Sequence, residues 1–119
     1  MGSPDRVRAG LLFDLYGPLL TEHQQEAWQL YYLEDWSLAE ISTVEQVSRA
    51  AVHDLLDRTE KLLEDYEARL GLLAQHQRRR ARLEEALRLV AQLPRNSREA
   101  DQVRTSIAHL AEEEGVSDV

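Results

Sequence analysis

Four residues, Ser48, Arg49, Ala50 and His53, form a short segment whose side chains could contact nucleic acid. Ser48 is a good helix N-cap, so we expect a helix to begin at about Arg49 and to expose these positions in its first turns. Serine, arginine and histidine can donate hydrogen bonds to phosphate oxygens or to base edges in the major groove. If this helix reads DNA, these four positions face the groove together with Asp54 and Asp57.

A run of arginines in the second half of the chain is a further candidate for phosphate binding. The segment 68–83 contains five arginines and no acidic residue, and Arg78, Arg79 and Arg82 lie at its centre. The planar guanidinium group binds phosphates and carboxylates bidentately. Three interpretations remain open: a solvated helix face, a contact with RNA phosphates, or a contact with the acidic part of another subunit. A loop or hinge would leave these arginines available for either contact.

Catalytic chemistry has no recognisable residue pattern in this chain. Its four histidines are far apart in the sequence, there is no cysteine, and no glycine-rich phosphate loop is present. The carboxylates form no recognisable acid–base constellation. The aromatic residues between positions 28 and 36 have helical spacing, which favours core packing over a ligand pocket. We therefore expect no metal site, no cofactor and no enzyme.

Two short helices are predicted to position the first candidate site. Ser37 with Glu40 forms a capping box, and Ser48 is a second N-cap, so helices should begin at about Leu38 and Arg49. The turn between them has three or four residues, which is typical of a helix-turn-helix. The positions expected to face inward are apolar: Ile41, Val47, Val52 and Leu55.

Composition indicates an all-α protein of two parts. Residues 1–66 carry thirteen acidic and five basic side chains and all seven aromatic residues, whereas residues 67–119 carry nine charges of each sign. We predict a helix-turn-helix module at 5–73 and a C-terminal helical extension at 74–119. No apolar run approaches the roughly 18 residues of a membrane span, and the first ten residues lack the apolar stretch of a signal peptide. We therefore expect a cytoplasmic protein with no membrane contact.

The remaining helices follow from spacing and capping signals. A first helix at about 5–16 should bury Val7, Leu11, Leu12 and Leu15. A second helix, capped by Thr21 with Gln24, should run to about Glu34. A last helix should run from about Ser97 to Glu114, begin with a capping box of Asn96 and Glu99, and bury Val103, Ile107 and Leu110.

The helix that begins at Arg49 should be long. Apolar residues recur from Val52 to Leu73 in alternating steps of four and three, which is a heptad pattern, and the helix could continue through Gly71. The module should not cover the far end of this stripe, so cover must come from the C-terminal helices or from a second chain. We predict a homodimer whose interface contains Leu63, Tyr66, Leu70 and Leu73.

Three segments carry a family resemblance: LYGPLLTE, LYYLED and RTEKLLEDYE. They resemble the YlxM-type family of small bacterial helix-turn-helix proteins associated with the signal recognition particle, over about residues 9–68. The helix-turn-helix also resembles region 4 of bacterial sigma factors, a more general match. The family resemblance implies an all-helical regulator that takes part in the pathway of the particle's GTPase.

Two functions remain, and the sign of the charge separates them. A DNA-binding regulator needs Lys and Arg on phosphates, but Arg49 stands beside Asp54 and Asp57 in a module of net charge −8. An adaptor that binds a protein or ribonucleoprotein, such as a component of the signal recognition particle, suits an acidic surface better. We favour the adaptor and expect DNA binding to be weak or absent.

Overall fold

The computed structural model describes residues 5–115, which contain six α-helices and no strand. The helices are α1 (Arg6–Tyr16), α2 (Glu22–Trp28), α3 (Leu38–Glu45), α4 (Arg49–Leu70), α5 (Leu72–Val90) and α6 (Arg98–Glu113). These helices confirm the all-α class. The chain divides into two compact units, one ending at Leu73 and the other beginning at Ala74.

Helix α1 buries a different face from the one that apolar spacing predicted. Asp5 caps its first turn by accepting a 2.7 Å hydrogen bond from Arg8 N. Ala9, Leu12 and Tyr16 are buried, whereas Val7 is 74% exposed, so its predicted burial was wrong. The buried residues follow one another in steps of three and four, so they line one side of the helix that faces α2 and α4.

Helix α2 begins as predicted and ends in a different helical form. The Thr21 and Gln24 capping box is present. From Gln29 to Leu33 the helix widens into a π-helical turn. The guanidinium of Arg6 donates to the carbonyls of Tyr31 and Tyr32 and to Asp35, and so satisfies groups at this helix end.

The core of the first unit lies where α1, α2, α3 and α4 meet. Trp28 is completely buried, and its indole N–H donates to Ala9 O at 3.2 Å, which removes the cost of burying a polar group. The Trp28 and Tyr32 rings pack with centroids 4.3 Å apart. The predicted reading of the aromatic residues as core is thus correct for these two side chains.

Helix α4 ends before the position that the heptad pattern allowed. Gly71 has φ 64° and ψ 25°, the left-handed conformation of a helix C-cap, and its N–H donates to Glu67 O. The continuation through Gly71 that the pattern allowed does not occur. A new helix, α5, begins at Leu72 and contains Arg78, Arg79, Arg80 and Arg82, so these arginines lie on a helix and not in a loop or hinge.

The second unit is a hairpin of α5 and α6 with a small core. Leu83 and Ala111 are buried, with Leu87 packed against them. Ser97 caps α6 by accepting from Ala100 N, so the predicted cap at Asn96 was wrong by one position. Val103 and Leu110 are also exposed rather than buried, at 44% and 45%. The buried residues of α6 are two small alanines, Ala100 and Ala111.

Within residues 5–115, no helix is both long enough and apolar enough to cross a bilayer.

Candidate functional site

Helices α3 and α4 form a helix-turn-helix with a turn of three residues, Gln46 to Ser48. Both predicted N-caps are present, because Ser37 Oγ accepts from Glu40 N and Ser48 Oγ accepts from Ala51 N. Gln46 takes the left-handed conformation at φ 58° and closes α3 with a hydrogen bond to Ser42 O. The turn is therefore built from local hydrogen bonds at both helix ends.

All four predicted nucleic-acid residues at the start of α4 are exposed: Ser48, Arg49, Ala50 and His53. Ser48 Oγ already accepts the Ala51 N–H at 3.0 Å, and its hydroxyl can still donate. Val47 was expected to face inward but is 39% exposed, and Val44 on α3 is 57% exposed. The surface around the turn is thus more apolar than the sequence pattern predicted.

The next cations along α4 are engaged with carboxylates one helical turn earlier. Arg58 Nη2 lies 3.3 Å from Asp54, and Lys61 Nζ lies 3.0 Å from Asp57. The hydrogen bond that Lys61 donates to Asp57, followed by the negative charge of Asp57, raises the pKa of Lys61. These pairs neutralise the positive charge that a phosphate backbone would need. Arg49 is the cation of α4 that remains exposed in the first turn.

The far half of α4 is held by α1. Arg8 donates to both carboxylate oxygens of Glu64 at 2.8 Å, and the Tyr16 hydroxyl donates to Glu67. The hydrogen bond from Arg8 is the main reason why the pKa of Glu64 is lowered. The Tyr16 and Tyr66 rings lie 5.8 Å apart. These contacts fix α4 as one rigid element under the turn.

The same contacts change the interpretation of the predicted dimer residues. Leu63 and Leu73 are 0% and 1% exposed in the core of their own unit, and Tyr66 is half-buried beside Tyr16. For Leu63, Tyr66 and Leu73 the argument that cover must come from elsewhere was wrong, because all three pack in the core cluster of the first unit. Leu70 is the exposed member of the set, at 56%.

The arginine run lies on α5, within the second unit. Arg78, Arg79, Arg80 and Arg82 are all exposed. Arg79 pairs with Glu114 at 3.3 Å and Arg80 with Glu84 at 3.6 Å. Among residues 5–115, Arg78 and Arg82 form no ion pair, and they are one helical turn apart on one face. They are the two arginines of this run best placed to contact phosphate.

A cavity beside the helix-turn-helix was not foreseen from the sequence. It has a volume of about 160 Å³ and lies between α2, α3 and α4, with Ala27, Ile41 and Val52 among its lining residues. The lining residues come from three helices, and a local sequence pattern does not predict how these helices pack. The two valines near the turn, Val44 and Val47, are the sequence feature that indicates an apolar surface here. In the described part of the chain, no three His, Cys, Asp or Glu side chains are arranged to hold a metal ion.

This fold, with a three-residue turn and an exposed start of the second helix, defines a helix-turn-helix protein. The chain belongs to the UPF0122 family, described as "Putative helix-turn-helix protein, YlxM / p13 like", whose family model matches residues 4–106. The YlxM-type resemblance is thereby confirmed.

Relatives in several bacteria are similar to this chain. A UPF0122 protein of Symbiobacterium thermophilum is 59% identical over 81 residues, which cover 68% of this chain and 76% of the relative. One from Geobacillus kaustophilus is 49% identical over 78 residues, 66% of this chain and 71% of the relative. One from Listeria welshimeri is 42% identical over 103 residues, 87% of this chain and 91% of the relative, so the similarity extends beyond the first unit.

Proposed function

We propose that this protein is a non-enzymatic cytoplasmic adaptor that uses its helix-turn-helix to bind a protein or ribonucleoprotein partner in the signal recognition particle pathway. The observation that carries the proposal is the surface of the helix-turn-helix, where Val44 and Val47 are exposed and the α4 cations Arg58 and Lys61 are paired with carboxylates. The pathway is taken from the YlxM-type resemblance and is supported by membership of the family.

Electrostatics support an adaptor more than a DNA reader. A duplex carries one negative charge per about 1.7 Å, and non-specific affinity comes from cations that release counterions. In the first unit Arg58 and Lys61 are held by Asp54 and Asp57, which leaves Arg49 against a net acidic surface. A basic protein surface would be attracted by the same field that repels phosphate.

Helix α5 supports a ribonucleoprotein as the form of the partner. Arg78 and Arg82 are exposed on one face, with Arg79 beside them. Arginines one helical turn apart can bind neighbouring phosphates of a folded RNA, whose backbone is accessible where base edges are not. The first unit would then contact protein and the second would contact RNA.

A DNA-binding transcriptional regulator is the alternative function. The three-residue turn and the exposure of Ser48, Arg49, Ala50 and His53 favour it, because these are the positions that a recognition helix uses in the major groove. Arg49 would then be the main specific contact.

A salt titration separates these two functions. Fluorescence anisotropy would measure binding of the whole protein to its own promoter DNA between about 50 and 200 mM salt, the range over which phosphate contacts lose most affinity. We expect weak binding that does not depend on sequence and is little changed by Arg49→Ala. Tight, sequence-selective binding that Arg49→Ala abolishes would instead establish the regulator.

A pull-down with and without ribonuclease tests the form of the partner. We expect signal recognition particle components to be retained with the tagged full chain, and the RNA-dependent share to be lost on ribonuclease treatment. Arg78→Glu with Arg79→Glu and Arg82→Glu should remove that share. Arg69→Glu with Arg88→Glu and Arg98→Glu makes the same change in charge elsewhere and is the matched control. Retention of no particle component by the unaltered protein would contradict the pathway.

A further inference from the structure

The cavity beside the helix-turn-helix has an apolar floor and an accessible mouth. Ala27, Ile41 and Val52 are at most 2% exposed and form the floor. Val47 and Ala51 are exposed and stand at the mouth. An apolar cavity that opens to the surface stabilises a protein less than a filled core would. An apolar group from another molecule could therefore enter without displacing any residue.

The size of the cavity limits its occupant to one side chain. Its volume is about 160 Å³. An apolar cavity of roughly 150 Å³ is large enough for benzene, whereas sites for whole small molecules usually measure about 300–1,000 Å³. A leucine, methionine or phenylalanine side chain matches the volume, and a free metabolite does not.

The surface next to the mouth is apolar and suits a protein backbone with further side chains. Val44 and Val47 are exposed at 57% and 39%, and Ala50 lies beside Ala51 at the start of α4. Large apolar groups gain nothing from a phosphate backbone but gain from contact with another protein. Apolar anchors spaced along one face of a helix are a common way to fill such a groove.

Charges at the mouth indicate the sign of the partner. Glu45 lines the cavity with His23, whose Nε2 lies 3.7 Å away, and Arg58 lines it while paired with Asp54. Glu22 and Glu26 each precede a lining residue of α2 by one position and are exposed. Arg58, the one Lys or Arg among the lining residues, thus already has an acidic partner, and exposed carboxylates stand next to lining residues of α2. A partner with Lys or Arg next to its apolar anchor would complement them.

A second copy of this chain matches that combination less well, because its exposed apolar residues have no unpaired arginine directly beside them. The arginine run of α5 has no large apolar residue between Gln75 and Arg82. Val7, Leu70, Leu89 and Val103 are exposed and stand next to arginines. Those arginines are already paired with carboxylates of the same chain: Arg6 with Asp35, Arg8 with Glu64, Arg69 with Asp65, Arg88 with Glu85 and Arg104 with Asp101.

We propose that the groove between α2, α3 and α4 docks a basic amphipathic helix of the partner protein and that one apolar side chain of that helix fills the cavity. This inference rests on the proposed function, since it assumes a protein partner, and it names the surface and the chemistry of contact. The partner approaches over the turn of the helix-turn-helix, so docking and DNA reading by α4 exclude one another.

A synthetic peptide tests the proposal directly. The probe is a fluorescein-labelled 18-residue helical peptide with leucine, methionine or phenylalanine anchors on one face and lysine elsewhere. Two further peptides carry alanine at the anchors or glutamate in place of lysine. Anisotropy with the full chain should show binding of the basic anchored peptides and at least a tenfold loss for both control peptides.

Substitution of the mouth of the cavity provides the second arm. Ala51→Phe should weaken the peptide at least tenfold, because its ring occupies the cavity. Ala68→Phe, exposed on the same helix but seventeen positions away from Ala51 and outside the cavity, should change affinity less than twofold. Both positions are exposed, and circular dichroism would check that the helices are intact.

Binding of no anchored peptide, or equal binding to both variants, would overturn the docking site. The pull-down measures retention of particle components and does not use the peptide. It therefore tests the adaptor function separately from the docking groove.

Discussion

Tyr16 and Glu67 form one hydrogen-bonded pair that also caps the start of α5. The Tyr16 hydroxyl donates to Glu67 Oε1 at 2.7 Å and accepts the Leu72 N–H at 3.1 Å, while the same carboxylate oxygen accepts the Leu73 N–H at 2.9 Å. Burial, followed by the hydrogen bond to Glu67, raises the pKa of Tyr16, so the phenol stays protonated as a donor. Two distant side chains thus replace the local N-cap that α5 lacks.

Removal of the Tyr16 hydroxyl should destabilise the first unit. Tyr16→Phe leaves the Leu72 N–H and one carboxylate oxygen with fewer partners, which typically costs about 1–3 kcal/mol. Urea unfolding followed by circular dichroism measures the change. Tyr66→Phe keeps the ring contact with Tyr16 and is the control, with an expected effect of less than about 0.5 kcal/mol. Equal effects of the two substitutions would contradict a capping role for Tyr16.

Glu64 should make the stability depend on pH in the acid range. Its pKa is lowered by Arg8, so the ionised carboxylate stabilises the fold above the unfolded-state value, and this contribution is lost as pH falls through the lower folded-state value. Below about pH 4.3, the free energy of unfolding of the unaltered protein should fall more steeply than that of Glu64→Gln. The difference should be roughly 0.5–1 kcal/mol, because the pair is partly exposed.

Glu60 provides the opposite control for that measurement. Burial, followed by repulsion from Asp57 and Glu64, raises its pKa, so its ionisation opposes folding at neutral pH. Glu60→Gln should therefore slightly stabilise the protein at pH 7, whereas Glu64→Gln should destabilise it. If both substitutions changed the free energy of unfolding at pH 7 in the same direction, the opposite roles of Glu60 and Glu64 would be contradicted.

Replacement of Gly71 by alanine distinguishes a helix break at this residue from a continuous helix. The sign of the change in the free energy of unfolding differs between the two cases. A Cβ at this position would meet nothing within 4 Å, so Gly71→Ala is penalised only by its left-handed φ of 64°. That conformation costs a non-glycine residue about 1–2 kcal/mol. We expect thermal or urea unfolding to show destabilisation. Stabilisation by about 1 kcal/mol, as for glycine inside a continuous helix, would mean that α4 continues into α5.

Leu63 and Leu70 should respond very differently to truncation. Leu63 is completely buried, so Leu63→Ala should cost about 2–5 kcal/mol. Leu70 is 56% exposed in the single chain, so Leu70→Ala should cost less than about 0.5 kcal/mol in protein dilute enough to be monomeric. Chemical unfolding of the two variants in dilute protein makes the comparison. A loss at Leu70 that appears only in concentrated protein would show that a second chain covers it.

The homodimer remains a prediction, and Leu70 is now the residue on which to test it. Light scattering at tens of micromolar should give the mass of a dimer for the unaltered protein and of a monomer for Leu70→Glu. Leu73→Glu is unsuitable for this purpose, because it places a charge in the core of its own unit. A monomeric unaltered protein would end the dimer hypothesis.

Sequence alone determined the features of this protein that depend on neighbouring residues. Ser37 with Glu40, Thr21 with Gln24 and Ser48 predicted three helix starts correctly, because a cap joins a side chain to a backbone N–H two or three positions away. The helix-turn-helix follows from two such caps at the right distance. Of the family segments, RTEKLLEDYE lies on one of these helices, α4, whereas LYGPLLTE connects α1 to α2 and LYYLED covers the end of the π-helical turn.

Tertiary structure alone decided which apolar residues are buried and which groups could bind a partner. Val7, Val47, Val103 and Leu110 have helical spacing but are exposed, because alanines and larger residues from other helices occupy the interior. Leu63 is covered by a helix more than forty positions earlier in the chain, and Tyr16 caps a helix that begins at Leu72. Contacts between distant residues depend on how the helices pack, and a local sequence pattern does not predict that packing.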